Sequence, residues 1–379
     1  MMKKDEILTY LMEHQDDYLS MLRDFVELES PSHEDKATSD KCSRFLEKAF
    51  EGLGFKVERI HQDQCGDHLY GEIGEGEKSA IIVGHYDTVF PIGTLKSMPF
   101  KVSDGKAYGP GVLDMKGGII MAYFAIKALL ELGIFPKKKI GIFFNGDEES
   151  GSFNSSERII EKSKEYRSVL VMEPGVNDIN SIKMARYGRG TYNVIAHGKA
   201  AHSGSNSHLA VSPLLELARQ LLFIERWSME TEGVTFTPTY INGGIPGTCM
   251  VPESACFTMD VRFLTEELAD DIHKKIMNMK AIGNGIGLEI QGKIDKPVMI
   301  GDEKLFRLAA DIGHLYELDI KGITIGGGSD GNFTAAAGIP TLDGLGTTGE
   351  FLHNSGEYIH LEHIPYRTSL VARLIKEIS

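Results

Sequence analysis

The residues most able to do chemistry stand where apolar runs stop. Ala80-Ile81-Ile82-Val83 reads as a buried strand that ends at Gly84 and hands over to His85-x-Asp87, an imidazole followed by a carboxylate able to hold its second ring proton. Lys139 to Asn145 is apolar in the same way and runs into Gly146-Asp147-Glu148-Glu149, while Ser168 to Met172 delivers Glu173. After a Gly/Pro-rich loop, Asp114 sits at the entrance of an apolar helix, Ile119 to Leu132. Imidazoles and carboxylates at successive strand ends are metal-ligand chemistry, and open α/β sheets bind their ligands where strands terminate. Each piece alone has a plainer reading: His-x-Asp as a surface pair or structural histidine, the adjacent acids as a solvated turn. Three consecutive strands ending in such groups favour the metal.

Other residues stay open at this level. His353 lies in the loop Phe351-Leu352-His353-Asn354-Ser355-Gly356 before the last helix, and nothing local assigns it. His202, in Lys199-Ala200-Ala201-His202-Ser203-Gly204, reads as a loop histidine ahead of a helix at 209–224. Arg262 stands on the polar face of the strand Phe257–Phe263, where the residues alone read as a surface ion pair with Asp260 or Glu253. The run Gly326-Gly327-Gly328-Ser329-Asp330-Gly331 before a helix is either an anion cradle or a tight turn, and without a lysine in Walker spacing it is no nucleotide site.

The elements that must position these groups follow from periodicity. A helical lead-in covers 5–29 with an interruption near Gln15-Asp16-Asp17, and a second helix over 36–53 stops at Gly54. Strands at 56–60 and 69–73 precede an alternation of strand and helix from 80 to 172. The pattern then changes: 184–297 reads as β-α-β-β-α-β with one open sheet face, and 302–379 returns to α/β. The expected fold is therefore an α/β domain with a mixed β-sheet flanked by helices, residues 1–183 and 298–379, carrying an inserted α+β, ferredoxin-like domain at 184–297. Taken alone, the insert is a separate stable module.

Composition narrows the partners. A chain of 379 residues with 42% hydrophobic and 25% charged residues is an ordinary globular protein, which excludes disordered and fibrous classes. A formal net charge of -14 disfavours nucleic acid and anionic membrane, whose affinity comes from Lys and Arg. Four cysteines without Cys-x-x-Cys indicate reduced thiols. The opening Met1-Met2-Lys3-Lys4-Asp5-Glu6 turns acidic at once, and no window of eighteen apolar residues occurs, so the expected location is cytoplasmic.

With these residues in view, the chain resembles the zinc-dependent exopeptidases and deacylases that include glutamate carboxypeptidase, acetylornithine deacetylase and succinyl-diaminopimelate desuccinylase. The resemblance runs through nearly the whole chain on six ordered motifs: His-x-Asp-Thr-Val at 85–89, Gly-x-Gly-x-x-Asp-x-Lys-Gly-Gly at 109–118, Asp-Glu-Glu-x-Gly-Ser at 147–152, Glu-Pro at 173–174, His202 in its Ala-His-Ser-Gly context, and the glycine run at 326–331. It implies two divalent metal ions per subunit, Zn2+ first and Co2+ or Mn2+ as alternatives, with Asp114 bridging, His85 and Glu173 completing one metal, and Glu149 and His353 the other. It further implies Glu148 as general base, Asp87 behind His85, and a cis peptide after Asp114. The inserted domain would be a lid that also forms a homodimer interface, with His202 reaching the partner subunit's site to hydrogen-bond the oxyanion. Glu rather than Asp at position 173 goes with carboxypeptidases and deacylases, which implies cleavage of an amide to release a C-terminal, glutamate-like amino acid from a short peptide, with Arg262 on the substrate carboxylate. An N-acyl amino acid deacylase is the alternative. A catalytically silent metabolite-binding protein is a third reading, against which stand the base and all five ligands. One departure is Cys249, three residues before Pro252, where the family usually has Asn.

Overall fold

A computed structural model describes residues 5–32 and 34–378; the first four residues of the opening segment read above lie outside it. The chain divides into two compact units, one of residues 1–185, 299–325 and 329–379, the other of residues 186–298 and 326–328.

The first unit is built on a six-stranded sheet in the order Lys56–Ile60, His68–Ile73, Lys139–Asn145, Lys78–His85, Ser168–Val171, Thr341–Leu342. The first two strands are antiparallel to their neighbours, and the other four run parallel. Parallel strands covered on both faces read as unbroken apolar runs, because side chains on either face are buried. Alternate residues accordingly enter two cores. Ile82, Phe144 and Leu170 pack with the helices Gly117–Glu131 and Ile364–Ile378, while Ile81, Val83, Phe143 and Val169 pack with Ile159 of the helix Ser156–Ser163. The three apolar runs singled out by sequence are neighbours here, so parallel pairing brings their C-terminal ends side by side.

Two glycines explain how the Asp114 loop enters its helix. A Cβ on Gly118 would lie 2.1 Å from the Met172 carbonyl oxygen, and one on Gly117 would lie 2.4 Å from that of Val112. Only glycine lets the helix start against the end of the strand that delivers Glu173. The lead-in helix breaks where the apolar spacing falters, into Glu6–Glu13, capped by the Asp5 carboxylate, and Gln15–Val26.

The second unit is a four-stranded antiparallel sheet in the order Val234–Gly243, Ser254–Phe263, Gly188–His197, Gly287–Lys296, with helices Pro213–Glu230 and Glu266–Met277. This is the expected β-α-β-β-α-β. Phe257, Met259, Val261 and Phe263 are buried in its core, while Thr258, Asp260 and Arg262 alternate with them on the other face. The first helix starts at Pro213 rather than 209, because Ser212 caps it and proline is preferred in the first turn. Among the described residues no helix is long and apolar enough to cross a membrane.

Candidate metal centre

Asp114, itself buried, is the pivot of a polar cluster in the first unit that runs from buried His85 and Glu173 to exposed His353. Its Oδ1 lies 3.0 Å from His85 Nε2, and its Oδ2 lies 3.1 Å from His353 Nε2. His85 Nε2 is also 3.3 Å from Glu173 Oε1, and His353 Nε2 is 3.2 Å from Glu149 Oε1. Two groups of three result, His85–Asp114–Glu173 and Asp114–Glu149–His353, each with its potential ligand atoms within 4.8 Å of one another and sharing one carboxylate. Five residues scattered over 85–353 thus converge, delivered by three strand ends, the entrance of a helix and one loop.

The electrostatics call for positive charge between these groups. His85 Nδ1 is 3.1 Å from the backbone oxygen of Asp87, which can only accept, so Nδ1 carries the proton and a neutral ring turns its Nε2 lone pair toward two carboxylate oxygens. Lone pair against carboxylate is repulsive unless a proton or a cation sits between. Burial opposes a charged His85, yet Asp114, Asp87 and Glu173 outweigh it and raise its pKa well above the usual value. Asp114 and Glu149 push His353 up to about 10. Burial and the Asp114 charge lift Glu149 to about 8, while the imidazoles of His353 and His85 overcome the burial of Asp114 and hold it well below the carboxylate range. Nitrogen and oxygen donors without thiolate, two imidazoles and three carboxylates, fit a pair of divalent cations.

The backbone around the cluster is held by three buried carboxylates, those of Glu357, Asp87 and Asp330, of which only Glu357 is unmarked in the sequence. The Asp114–Met115 peptide is cis, as the resemblance implied. Glu357, fully buried, accepts the N–H groups of Leu113 at 2.7 Å and Asp114 at 3.1 Å, and burial lifts its own pKa to about 8. Asp87 has more to do than stand behind His85. Its Oδ1 is 3.4 Å from His85 Nδ1, while its carboxylate accepts the N–H groups of Glu148 at 3.2 Å and Glu149 at 3.1 Å and the hydroxyl of Ser32 at 2.6 Å. Asp330, in the glycine run, accepts Ser152 Oγ and Asn145 Nδ2, both at 2.6 Å. The turn that carries Glu148 and Glu149 is therefore fixed at its amides and at both flanks, and Glu148 is buried at 8% exposure.

His202 and Arg262 belong to the second unit. His202 lies on a two-residue strand paired with Met250–Val251, with its side chain exposed. Its Nδ1 accepts the N–H groups of Gly204 at 3.1 Å and Ser205 at 3.2 Å, which puts the ring proton on Nε2 and leaves that N–H as a donor. The carbonyl of Cys249 accepts the Ser203 N–H at 2.8 Å, so the departure at 249 borders the His202 strand. Arg262 grips Asp260 with two hydrogen bonds, 2.6 and 2.9 Å, and donates to Gly326 O at 3.2 Å. The pairing with Asp260 is the reading that the residues alone give.

Comparison with known proteins gives a consistent picture. Residues 81–377 match the model of peptidase family M20/M25/M40. Carboxypeptidase G2 of Pseudomonas sp. (strain RS-16) is 30% identical over 349 residues, covering 89% of this chain and 83% of the relative. A succinyl-diaminopimelate desuccinylase of Rhodospirillum centenum is 25% identical over 387 residues, covering 95% and 97%. The crystal structure of a dinuclear metal binding peptidase from Bacillus subtilis shares the fold with a TM-score of 0.71 at 15% identity, covering 97% and 99%.

Proposed function

Because the chain belongs to peptidase family M20/M25/M40, we propose that it is a dinuclear metallohydrolase that cleaves an amide and releases a C-terminal, glutamate-like amino acid from short peptides or N-acyl amino acids. The observation that carries this reading is the Asp114 carboxylate set between two histidine–glutamate pairs. The proposed ligands are His85, Asp114 and Glu173 for one ion and Asp114, Glu149 and His353 for the other. Two divalent cations there, Zn2+ in this proposal and Co2+ or Mn2+ as alternatives for the same donors, supply Lewis-acid polarisation and lower the pKa of water toward neutrality.

The chain's own residues do the rest. Glu148 takes a proton from the attacking water and returns it to the leaving amine, so water adds across the C–N bond to give a carboxylate and an amine. Its place beside Glu149 supports this role, since Asp87 holds both amides and sets the two side chains on one rigid turn. His202 Nε2–H donates to the oxyanion from the partner subunit of a homodimer. Arg262 spends three of its five N–H donors on Asp260 and Gly326, which leaves two for a substrate carboxylate. Arg262→Ala is expected to raise KM more than it lowers kcat; an unchanged KM would remove it from substrate binding. The four free cysteines fit a reducing, cytoplasmic setting.

A second reading, an N-acyl amino acid deacylase, is favoured by the desuccinylases among the relatives. The test of both is metal analysis of the purified chain followed by product release from Gly-Glu, N-acetylornithine and N-succinyl-diaminopimelate. Glutamate release supports the first and acyl release the second, whereas a chain carrying two metals that hydrolyses none of the three overturns the proposal. The ligand assignment has its own readout. His353→Ala is expected to lower bound metal from two equivalents to one while His85 and Glu173 keep theirs, as measured by elemental mass spectrometry after dialysis; two retained equivalents would exclude His353 as a ligand.

A further inference from the structure

A third group of potential ligands, Cys65, His68 and Asp147, lies next to the acidic turn, with all three residues buried and their donor atoms within 4.8 Å of one another. Its composition suggests a metal, but its hydrogen bonding does not. The Gly146 N–H donates to His68 Nδ1 at 3.3 Å, so that nitrogen's lone pair is occupied and the proton of a neutral ring stands on Nε2. Burial keeps the ring neutral by lowering its pKa. A histidine in this state has no lone pair left for a cation. Burial, reinforced by Asp147, also pushes the Cys65 thiol up to about 12.

What the imidazole does instead is register the turn. Asp147 Oδ1 stands 3.9 Å from His68 Nε2, beyond hydrogen-bond reach, and neither atom has a hydrogen-bond partner, whereas its Oδ2 accepts the Asn154 N–H at 2.7 Å. The packing there is close: a Cβ on Gly146 would lie 2.6 Å from the Tyr86 hydroxyl and 3.1 Å from the Gly66 carbonyl oxygen, and the same hydroxyl donates to Asp67 O at 2.6 Å. Resting on the reading of Glu148 and Glu149 given above, we infer that His68 is a positioning residue of the hydrolase: by accepting the Gly146 amide it fixes the start of the turn that presents the base and a metal ligand. A displacement of about 1 Å at a reacting group costs on the order of 10²-fold in rate, so a residue one step behind the chemistry is sufficient to control it.

The test uses the shape of the side chain. His68→Asn places an amide oxygen where Nδ1 stands, His68→Gln carries it one bond too far, and His68→Leu offers no acceptor. The full chain loaded with two metal equivalents should keep kcat within about 3-fold in the Asn variant and lose about 10- to 100-fold in the Gln and Leu variants, with KM and metal content little changed. Cys65→Ala should bind as much metal as the parent. Hydrogen exchange at the Gly146 amide supplies a readout besides activity: protected in the parent and the Asn variant, about 10-fold or more faster in the Gln variant. Equal kcat across the three variants at His68 overturns the inference, as does loss of one metal equivalent on Cys65→Ala, which would make the cluster a third metal site. If the parent chain hydrolyses no amide, the proposed function fails, and the exchange pattern still decides whether His68 holds the turn. Should the Leu variant not fold, the Asn and Gln variants carry the comparison.

Discussion

Glu148→Gln is expected to bind two equivalents of metal and to lose amide hydrolysis by about 10²- to 10⁴-fold, the usual worth of a general base. The substitution is nearly isosteric and replaces a carboxylate that can take a proton with an amide that cannot. Glu149, the adjacent residue, is the one placed 3.2 Å from His353, and the backbone geometry that separates the two side chains is imposed from outside by the Asp87 carboxylate on both amides. Removing the Glu148 charge therefore leaves the ligand set and the turn intact. Turnover and bound metal must be measured on the same preparation. A variant with two metals and near-normal kcat would take Glu148 out of the mechanism, whereas a variant that has lost metal would make it a ligand instead.

The parts of this protein legible in its sequence are those written locally. Apolar runs of strand length, each ending in an acid or imidazole, were enough to place His85, Glu149 and Glu173 at strand ends, because a strand buried on both faces must be continuous and must stop where polar residues begin. The alternation from Phe257 to Phe263 shows one buried and one open face, because successive side chains of a strand point to opposite sides of the sheet. What stayed hidden depends on contacts across long stretches of chain. Glu357 holds the Leu113 and Asp114 amides from 244 and 243 residues away and lies in no pattern that would mark it, while Asp330, visible as part of the glycine run, reaches Ser152 across 178 residues, a contact that no local pattern encodes. His68 falls at the start of a short strand, where a buried polar residue looks like any other interruption. The strand Val234–Gly243 carries Pro238 at a register shift on the sheet edge, a place where proline is tolerated.

His202→Ala is expected to keep both metal equivalents and the parent's oligomeric state while turnover falls by about 10²- to 10³-fold, the usual worth of a donor aimed at a developing oxyanion. The supporting observation is the tautomer. Amides of Gly204 and Ser205 occupy Nδ1, so Nε2–H is the donor in the resting protein and needs no proton transfer to become one. Its side chain is exposed on its own unit, as a group meant for another chain would be. KM should change less than kcat, because the ground-state carbonyl asks less of the donor than the oxyanion does. Mixing separates action within one chain from action across two. A dimer of one Glu148→Ala subunit and one His202→Ala subunit contains, if His202 serves the partner, one site with an intact Glu148 from the second subunit and an intact His202 from the first. The other site lacks both. With full random exchange of equal amounts, half the dimers are mixed and half their sites are competent, so activity should return to about a quarter of the parent's. Subunit exchange is followed independently by native mass spectrometry, since a mixture that never exchanges tests nothing. If exchange is complete and activity stays at the level of the two inactive variants, His202 does not act across the dimer.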